Sequence, residues 1–199
     1  MITGRGVKIL AFSGSSRRGS WNRLALAFVS KSLEEAGCGV TTVDLRALNL
    51  PIYDGNLEEA GGVPESARVF HGMIQSHHGL LVASPEYNGS VPPLLKNALD
   101  WCSRPIGTAN GLDAFRGKFA ALASASAGPF GGVRALGHLR SILAKMGVNV
   151  LPDELLVPVA FNAFDEDGKF RDSNLGKIAT ALARSLVYSV EAGLSAVID

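Results

Sequence analysis

The sequence predicts an α/β protein with a five-stranded parallel sheet between two layers of helices, in the strand order 2-1-3-4-5. Three observations predict it. Short continuous apolar runs recur along the chain, of the kind buried on both faces of a sheet. Stripes of helical period alternate with them, which calls for parallel strands joined by crossover helices. Three of the loops leaving the strands are rich in Gly, Ser, Pro and Asn, as ligand-binding loops at the carboxyl edge of such sheets are.

The first strand is Val7–Phe12, an apolar run broken only by Lys8. Ser13–Ser20 is a turn-rich loop. Trp21, Leu24, Ala25, Phe28, Val29, Leu33 and Ala36 then recur at helical spacing, with Gly37 as the stop. Val40–Leu45 is the second strand. Asn49–Pro64 reads as a loop, and Val63, Ala67, Phe70 and Ile74 mark the next helix. Leu80–Ala83 is the third strand, followed by the loop Ser84–Val91. Leu95, Ala98, Leu99 and Cys102 stripe a third helix, with Pro92 or Pro93 in its first turn, where a missing N–H costs least. Phe119–Ala123 is the fourth strand and Ser124–Gly132 the third small, polar loop. Leu136, Leu139, Ile142, Leu143 and Met146 stripe a fourth helix. Val148–Leu151 and Leu155–Val159 share the fifth strand region. A long last helix runs from Leu175 to Val190 and is capped by Asp172 or Ser173.

The 199 residues fit one domain, 1–199, at about 150 residues per domain. Hydrophobic residues are 47% and charged residues 19%, which excludes a disordered chain. Nineteen Lys and Arg against 18 Asp and Glu provide no basic footprint, so no nucleic acid is expected. Two distant cysteines, Cys38 and Cys102, form neither a C-x-x-C nor a zinc spacing and suit a reduced, cytoplasmic chain. No apolar run approaches the ~18 residues of a membrane span. Val7–Phe12 is also too short for a secretory core, so neither membrane nor signal peptide is expected.

The first loop, S-G-S-S-R-R-G-S-W-N from Ser13 to Asn22, follows a strand and opens a helix, where free N–H groups and a partial positive charge favour a phosphate. The dinucleotide fingerprint G-x-G-x-x-G is not met. Gly14 and Gly19 have P-loop spacing, yet Ser20 stands where the lysine must be. What remains is a hydroxyl-rich cradle with Arg17 or Arg18 beside it, suited to one phosphate, as in a mononucleotide. The plainer alternative is a turn capped by Ser20. In the second loop, Tyr87 offers a flat face with a polar tip. Glu86 is either an acid–base group or a local cap. The third loop lets a planar ligand approach the backbone.

With these loops in view, the chain resembles the NADPH-dependent FMN reductase family, flavoenzymes that include quinone and chromate reductases. The resemblance rests on Gly14–Asn22, on P-E-Y-N-G-S-V-P (Pro85–Pro92) running into L-K-N-A-L-D-W (Leu95–Trp101), and on S-A-S-A-G-P-F-G-G-V-R-A-L (Ser124–Leu136). It covers roughly residues 7–160. It implies a flavodoxin-like three-layer α/β/α sandwich and a noncovalent FMN. The phosphate would lie among Ser15, Arg17, Ser20 and Asn22. Pro85, Glu86, Tyr87, Asn88 and Gly89 would edge the isoalloxazine ring, with Ser124, Ser126 and Gly128 beside them. A homodimer or homotetramer is implied, with the flavin near a subunit interface. Two positions depart from the family pattern: Ser16, where a larger apolar residue is common, and Pro93, where many members have Gly.

The resemblance further implies ping-pong oxidoreduction, from NADPH to bound FMN and on to a quinone, free flavin, chromate, azo compound or ferric complex. No protein catalytic residue is then needed, and no G-x-S-x-G or H-E-x-x-H is present. No metal is expected. His77 and His78 are adjacent, so on a helix they point apart and read as surface residues ending it. His71 and His138 read as structural. Arg18, Lys96, Arg104, Arg116 and Arg134 are the candidate contacts to the 2′-phosphate of NADPH. The alternatives are a flavodoxin-type electron carrier, against which the net charge of +1 argues, and a non-flavin anion-binding interaction module.

Overall fold

The computed structural model describes residues 4–196; the first and last three residues of the expected domain lie outside the described residues. Five parallel strands are β1 (Lys8–Ser13), β2 (Gly39–Val43), β3 (Gly79–Ala83), β4 (Phe119–Ala125) and β5 (Asn149–Val157). They pair in the order β2-β1-β3-β4-β5, as expected. Six helices accompany them: α1 (Trp21–Glu35), α2 (Gly55–Gly61), α3 (Glu65–Ser76), α4 (Pro93–Cys102), α5 (Val133–Lys145) and α6 (Ser173–Ser195).

The two core layers follow from strand alternation. Ile9, Ala11, Leu81, Ala83, Ala121 and Ala123 face α1 and α6, where Val29, Leu33, Leu186 and Val190 meet them. Leu10, Phe12, Leu80, Val82, Ala120 and Leu122 face α3, α4 and α5. Both sets are buried, which is why the strands read as continuous apolar runs. Phe12 and Phe70 meet edge to face at 5.3 Å within the second layer.

Several expectations are corrected. The stretch read as a loop over 49–64 contains α2, capped by Asp54, which accepts from Asn56 N at 2.8 Å. β2 stops at Val43, short of Leu45. β4 continues through Ser124 and Ala125, because both keep their ladder to Leu156 and Val157. The two segments of the fifth strand are one strand with a register shift, passing from Ala120↔Val150 to Leu122↔Glu154. Pro152, which has no N–H for the ladder, sits at that shift. Arg140 of α5 braces it, donating to Leu151 O at 2.6 Å and pairing with Glu154 at 2.5 Å.

His77 ends α3 as expected but is buried, not on the surface. Its ring lies 2.6 Å from Met73 O and 2.8 Å from Thr41 Oγ1. His78 Nδ1 accepts from Lys8 N at 3.0 Å, and burial, then the Lys118 charge, hold its pKa below the usual range. Lys118 donates to the carbonyls of His77 and Gln75 at the end of α3, and burial lowers its pKa. His77, His78 and Lys118 lie at the amino edge of the sheet, away from the three Gly/Ser loops.

Candidate functional site

The carboxyl ends of β1, β3 and β4 stand side by side, with Ser13 opposite Ala83 and Ala83 opposite Ala123. Their loops enclose a cleft of about 310 Å³. Ser15, Arg17, Ser20, Trp21 and Asn22 line it from the first loop, and Pro85, Glu86 and Tyr87 from the second. Ala125, Ser126 and Ala127 line it from the third.

The first loop begins at Gly14, whose N–H donates to Ala83 O at 2.9 Å. Only glycine fits there, since a Cβ would lie 2.8 Å from Pro92 Cγ and 2.9 Å from Leu95 Cβ. Ser13 Oγ then accepts from Ser15 N (3.2 Å), and Ser15 Oγ from Arg17 N (3.4 Å). The carbonyls of Ser15 and Ser16 accept from Arg23 Nε and Arg46 Nη1, each at 3.3 Å, and Arg23 is held by Asp44 at 2.8 Å. Ser20 caps α1, its Oγ accepting from Arg23 N at 3.4 Å. Among the described hydrogen bonds, the N–H groups of Trp21 and Asn22 have no acceptor in the chain. Arg17 lies 5.2 Å over the Trp21 ring, which keeps its charge at the mouth. The loop therefore presents donors to the cleft while its carbonyls are occupied elsewhere. That arrangement suits an anion of phosphate size.

Asn22 is buried, and its amide is used at both ends: Nδ2 donates to Ala125 O at 2.8 Å and Oδ1 accepts from Ala125 N at 3.0 Å. The side chain fastens α1 to the end of β4, and only the backbone N–H is left for a ligand. In the second loop, Tyr87 N donates to Ser90 O (2.9 Å) and Ser90 N to Tyr87 O (3.0 Å). Between them Asn88 (φ +50°) and Gly89 (φ +78°) form a two-residue turn, the pairing that left-handed hairpin turns select. Asn88 and Gly89 turn the chain at the tip and do not line the cleft, while Tyr87, 45% exposed, does.

The third loop divides the expected residues. Ser126 lines the cleft, its Oγ accepting from Gly128 N at 3.2 Å; Gly128 itself does not line it. Ser124 is a correction. It is fully buried within β4, its Oγ lies beneath Gly132, and it makes no hydrogen bond. Eight of the twelve expected site residues thus line one cleft; Asn88, Gly89, Ser124 and Gly128 do not. Trp21, Ala125 and Ala127 are additional lining residues. Trp21 had a readable cue, since it stands four residues after Arg17 at the start of a helix. Arg23, Arg46 and Asp44, which brace the first loop from behind, had none.

Of the five candidate 2′-phosphate contacts, four are already paired: Lys96 with Asp100, Arg104 with Glu58, Arg116 with Asp113, and Arg134 with Glu86. Arg18 makes no ion pair among the described residues. No group of three metal-ligating side chains occurs among the described residues. Both cysteines are free, and burial pushes the Cys102 thiol up to about 12, so it is no nucleophile at neutral pH. Burial, then the charge of Glu191, raises Cys38 as well. No helix among the described residues is long and apolar enough to cross a membrane.

The segment over 51–64 is fastened along α4. Pro51 O accepts from Asn97 Nδ2 and Trp101 Nε1, each at 2.8 Å, and Tyr53 N donates to Asn97 Oδ1 at 2.8 Å. Glu58 closes the clasp, accepting from Arg104 Nε at 2.8 Å and Tyr53 OH at 2.9 Å. The Arg104 hydrogen bond, aided by Tyr53, holds the Glu58 carboxyl below the usual carboxylate range. A depressed folded pKa contributes stability above the unfolded value and loses it as pH falls through the folded one. Protection of the 51–64 amides from hydrogen exchange is therefore expected to fall below about pH 4.5 in the wild type. Glu58→Gln should show the weaker protection already at pH 7, with little further change on acidification.

Comparison with known proteins agrees with this geometry. The family model for NADPH-dependent FMN reductases matches residues 7–162. An NAD(P)H-dependent FMN reductase of Pseudomonas aeruginosa is 39% identical over 167 residues, covering 83% of this chain and 85% of the relative. A 2-hydroxy-1,4-benzoquinone reductase of a Burkholderia species is 38% identical over 142 residues, 71% of this chain and 73% of the relative. Among solved structures, FerB, a flavoenzyme NAD(P)H:(acceptor) oxidoreductase of Paracoccus denitrificans, superposes with a TM-score of 0.78 at 27% identity. The match covers 93% of this chain and 97% of that one. Sheet order, loop chemistry and sequence identity converge, and the chain belongs to the NADPH-dependent FMN reductase family.

Proposed function

We propose that this oxidoreductase holds one FMN in the three-loop cleft and carries electrons from NADPH to a quinone-type acceptor by a ping-pong scheme. The single observation that carries the reading is the lining of the cleft, which joins the donor-rich first loop to Pro85 and the half-exposed Tyr87 of the second. When bound, the flavin supplies the chemistry of accepting a hydride and releasing electrons.

The chain's own residues hold and orient. Ser15 Oγ, Ser20 Oγ and the free N–H groups of Trp21 and Asn22 receive the phosphate, with Arg17 adding charge. Glu86 and Ala127 line the cleft, and their N–H groups have no acceptor among the described hydrogen bonds. They are the donors we assign to the polar edge of the ring, where negative charge accumulates on reduction. Quinones are the favoured acceptor class because several relatives are named for them, among them the benzoquinone reductase above and a quinone reductase of Escherichia coli, 31% identical over 149 residues.

We also infer a homo-oligomer. Ile52, 84% exposed, lines a shallow hollow with Pro93 and Leu94 that also takes in Lys96, Asn97 and Asp100, and an apolar side chain so exposed suits contact with a second copy. Free, buried cysteines suit the cytoplasm as its compartment.

Initial rates measured against NADPH at several fixed benzoquinone concentrations test the reading. Parallel double-reciprocal lines are expected. Intersecting lines would exclude the ping-pong order, and absence of turnover would exclude the acceptor class.

A further inference from the structure

Helix α5 lacks a cap of its own. Its N-cap position is Gly132, held at φ +89°, and it offers no side chain to accept an N–H. An uncapped helix start leaves donors and a partial positive charge facing whatever lies ahead of it. Here a residue from another loop fills the gap. Glu86 Oε2 accepts from Arg134 N at 3.0 Å and from Ala135 N at 3.2 Å. Its Oε1 accepts from the Arg134 guanidinium at 3.3 Å.

The surroundings are built for this contact. A Cβ at position 132 would overlap Ser124 Oγ, and the left-handed φ of +89° also calls for glycine, so the helix start has no side chain of its own to cap it. The Arg134 guanidinium lies 5.1 Å over the Phe130 ring, which holds it against the third loop. Glu86 lines the cleft, and its side chain is 15% exposed against 58% for Arg134. One carboxylate of the second loop thus caps α5 and pairs with its Arg134. Within the cleft lining it is also the only negative side chain, facing a helix start and an arginine.

We propose that Glu86 is a positioning residue whose charge, offset against Arg134 and the start of α5, sets how strongly the cleft prefers reduced over oxidised flavin. The inference rests on the FMN reading. A hydride from NADPH delivers two electrons and one proton, leaves NADP⁺, and adds one negative charge to the cofactor. Positive potential in the cleft favours that added charge, and negative potential opposes it. Glutamine at position 86 keeps an oxygen to accept from the helix N–H groups but removes the charge, leaving Arg134 and the helix start unopposed. Glutamine at position 134 does the reverse and leaves Glu86 opposed by the helix start alone.

The test is the midpoint potential of the FMN-loaded wild type, Glu86→Gln and Arg134→Gln, measured together with FMN affinity and thermal melting. Glu86→Gln is expected to favour reduced flavin by about tenfold, an upward shift of ~30 mV for a two-electron couple. Arg134→Gln is expected to shift the potential downward. Opposite signs require charge, because simple loosening of the loops would weaken FMN binding and move both variants the same way. Potentials that stay unchanged, or move in one direction in both variants, would overturn the assignment. A wild type that takes up no FMN would overturn the flavin reading itself, and this assignment with it; that outcome is recognised before any variant is made.

Discussion

Aspartate in place of Ser20 is expected to leave the fold standing and to remove at least about 100-fold of FMN affinity. Asp caps a helix as well as Ser does, so α1 keeps the contact that Ser20 Oγ makes with Arg23 N. It also suits the helix dipole. What changes is the cradle. A carboxylate now stands among the donors that receive the phosphate, and two unit charges about 4 Å apart repel by roughly 4 kcal/mol at an effective dielectric near 20. Riboflavin, which has no phosphate, provides the control. Its affinity should change little in Ser20→Asp, and the melting temperature should stay near the wild-type value. Equal losses for FMN and riboflavin would mean that the first loop does not hold the phosphate.

Removing the amide of Asn22 is expected to be the most damaging change to the fold near the site. Both polar atoms of that side chain bond Ala125, which is itself 3% exposed. Asn22→Ala leaves a buried N–H and a buried C=O without partners, at a cost of about 2–4 kcal/mol. For a domain of this size that lowers the melting temperature by roughly 5–12 °C. Asn22→Asp should not rescue it, because a carboxylate accepts from Ala125 N but repels Ala125 O. A melting temperature unchanged in Asn22→Ala would show that packing alone holds α1 against β4.

The layered sheet and the place of the cleft were legible because they rest on short-range patterns. Ile9–Phe12 and Leu80–Ala83 are apolar throughout since both faces are covered, and the Gly/Ser loops follow directly from strand ends. Ser20 could be read as a cap from position alone. α2 could not be read, because none of its seven residues is buried and no apolar stripe marks it. Ser124 looked like loop because a Ser/Ala run has no strong strand propensity; only the ladder to β5 keeps it extended. The fastening roles of Asn22 and Glu86 depend on partners 103 and about 48 residues away, beyond any local spacing. The two residues do stand in recognisable motifs, yet what their side chains touch is decided by the packed sheet. His77, at the end of α3, shows the same limit, since its partner Thr41 lies on β2, 36 residues away.

The three loops are expected to bind FMN, and NADPH to reduce it there. The absorbance spectrum of the purified protein, recorded after incubation with FMN and gel filtration and then again after anaerobic addition of NADPH, tests this most directly. A flavin spectrum that remains with the protein and bleaches on addition of NADPH is expected. A retained spectrum that NADPH leaves unchanged would make the chain a carrier rather than an NADPH oxidoreductase, and a colourless protein after reconstitution would contradict the cofactor assignment altogether.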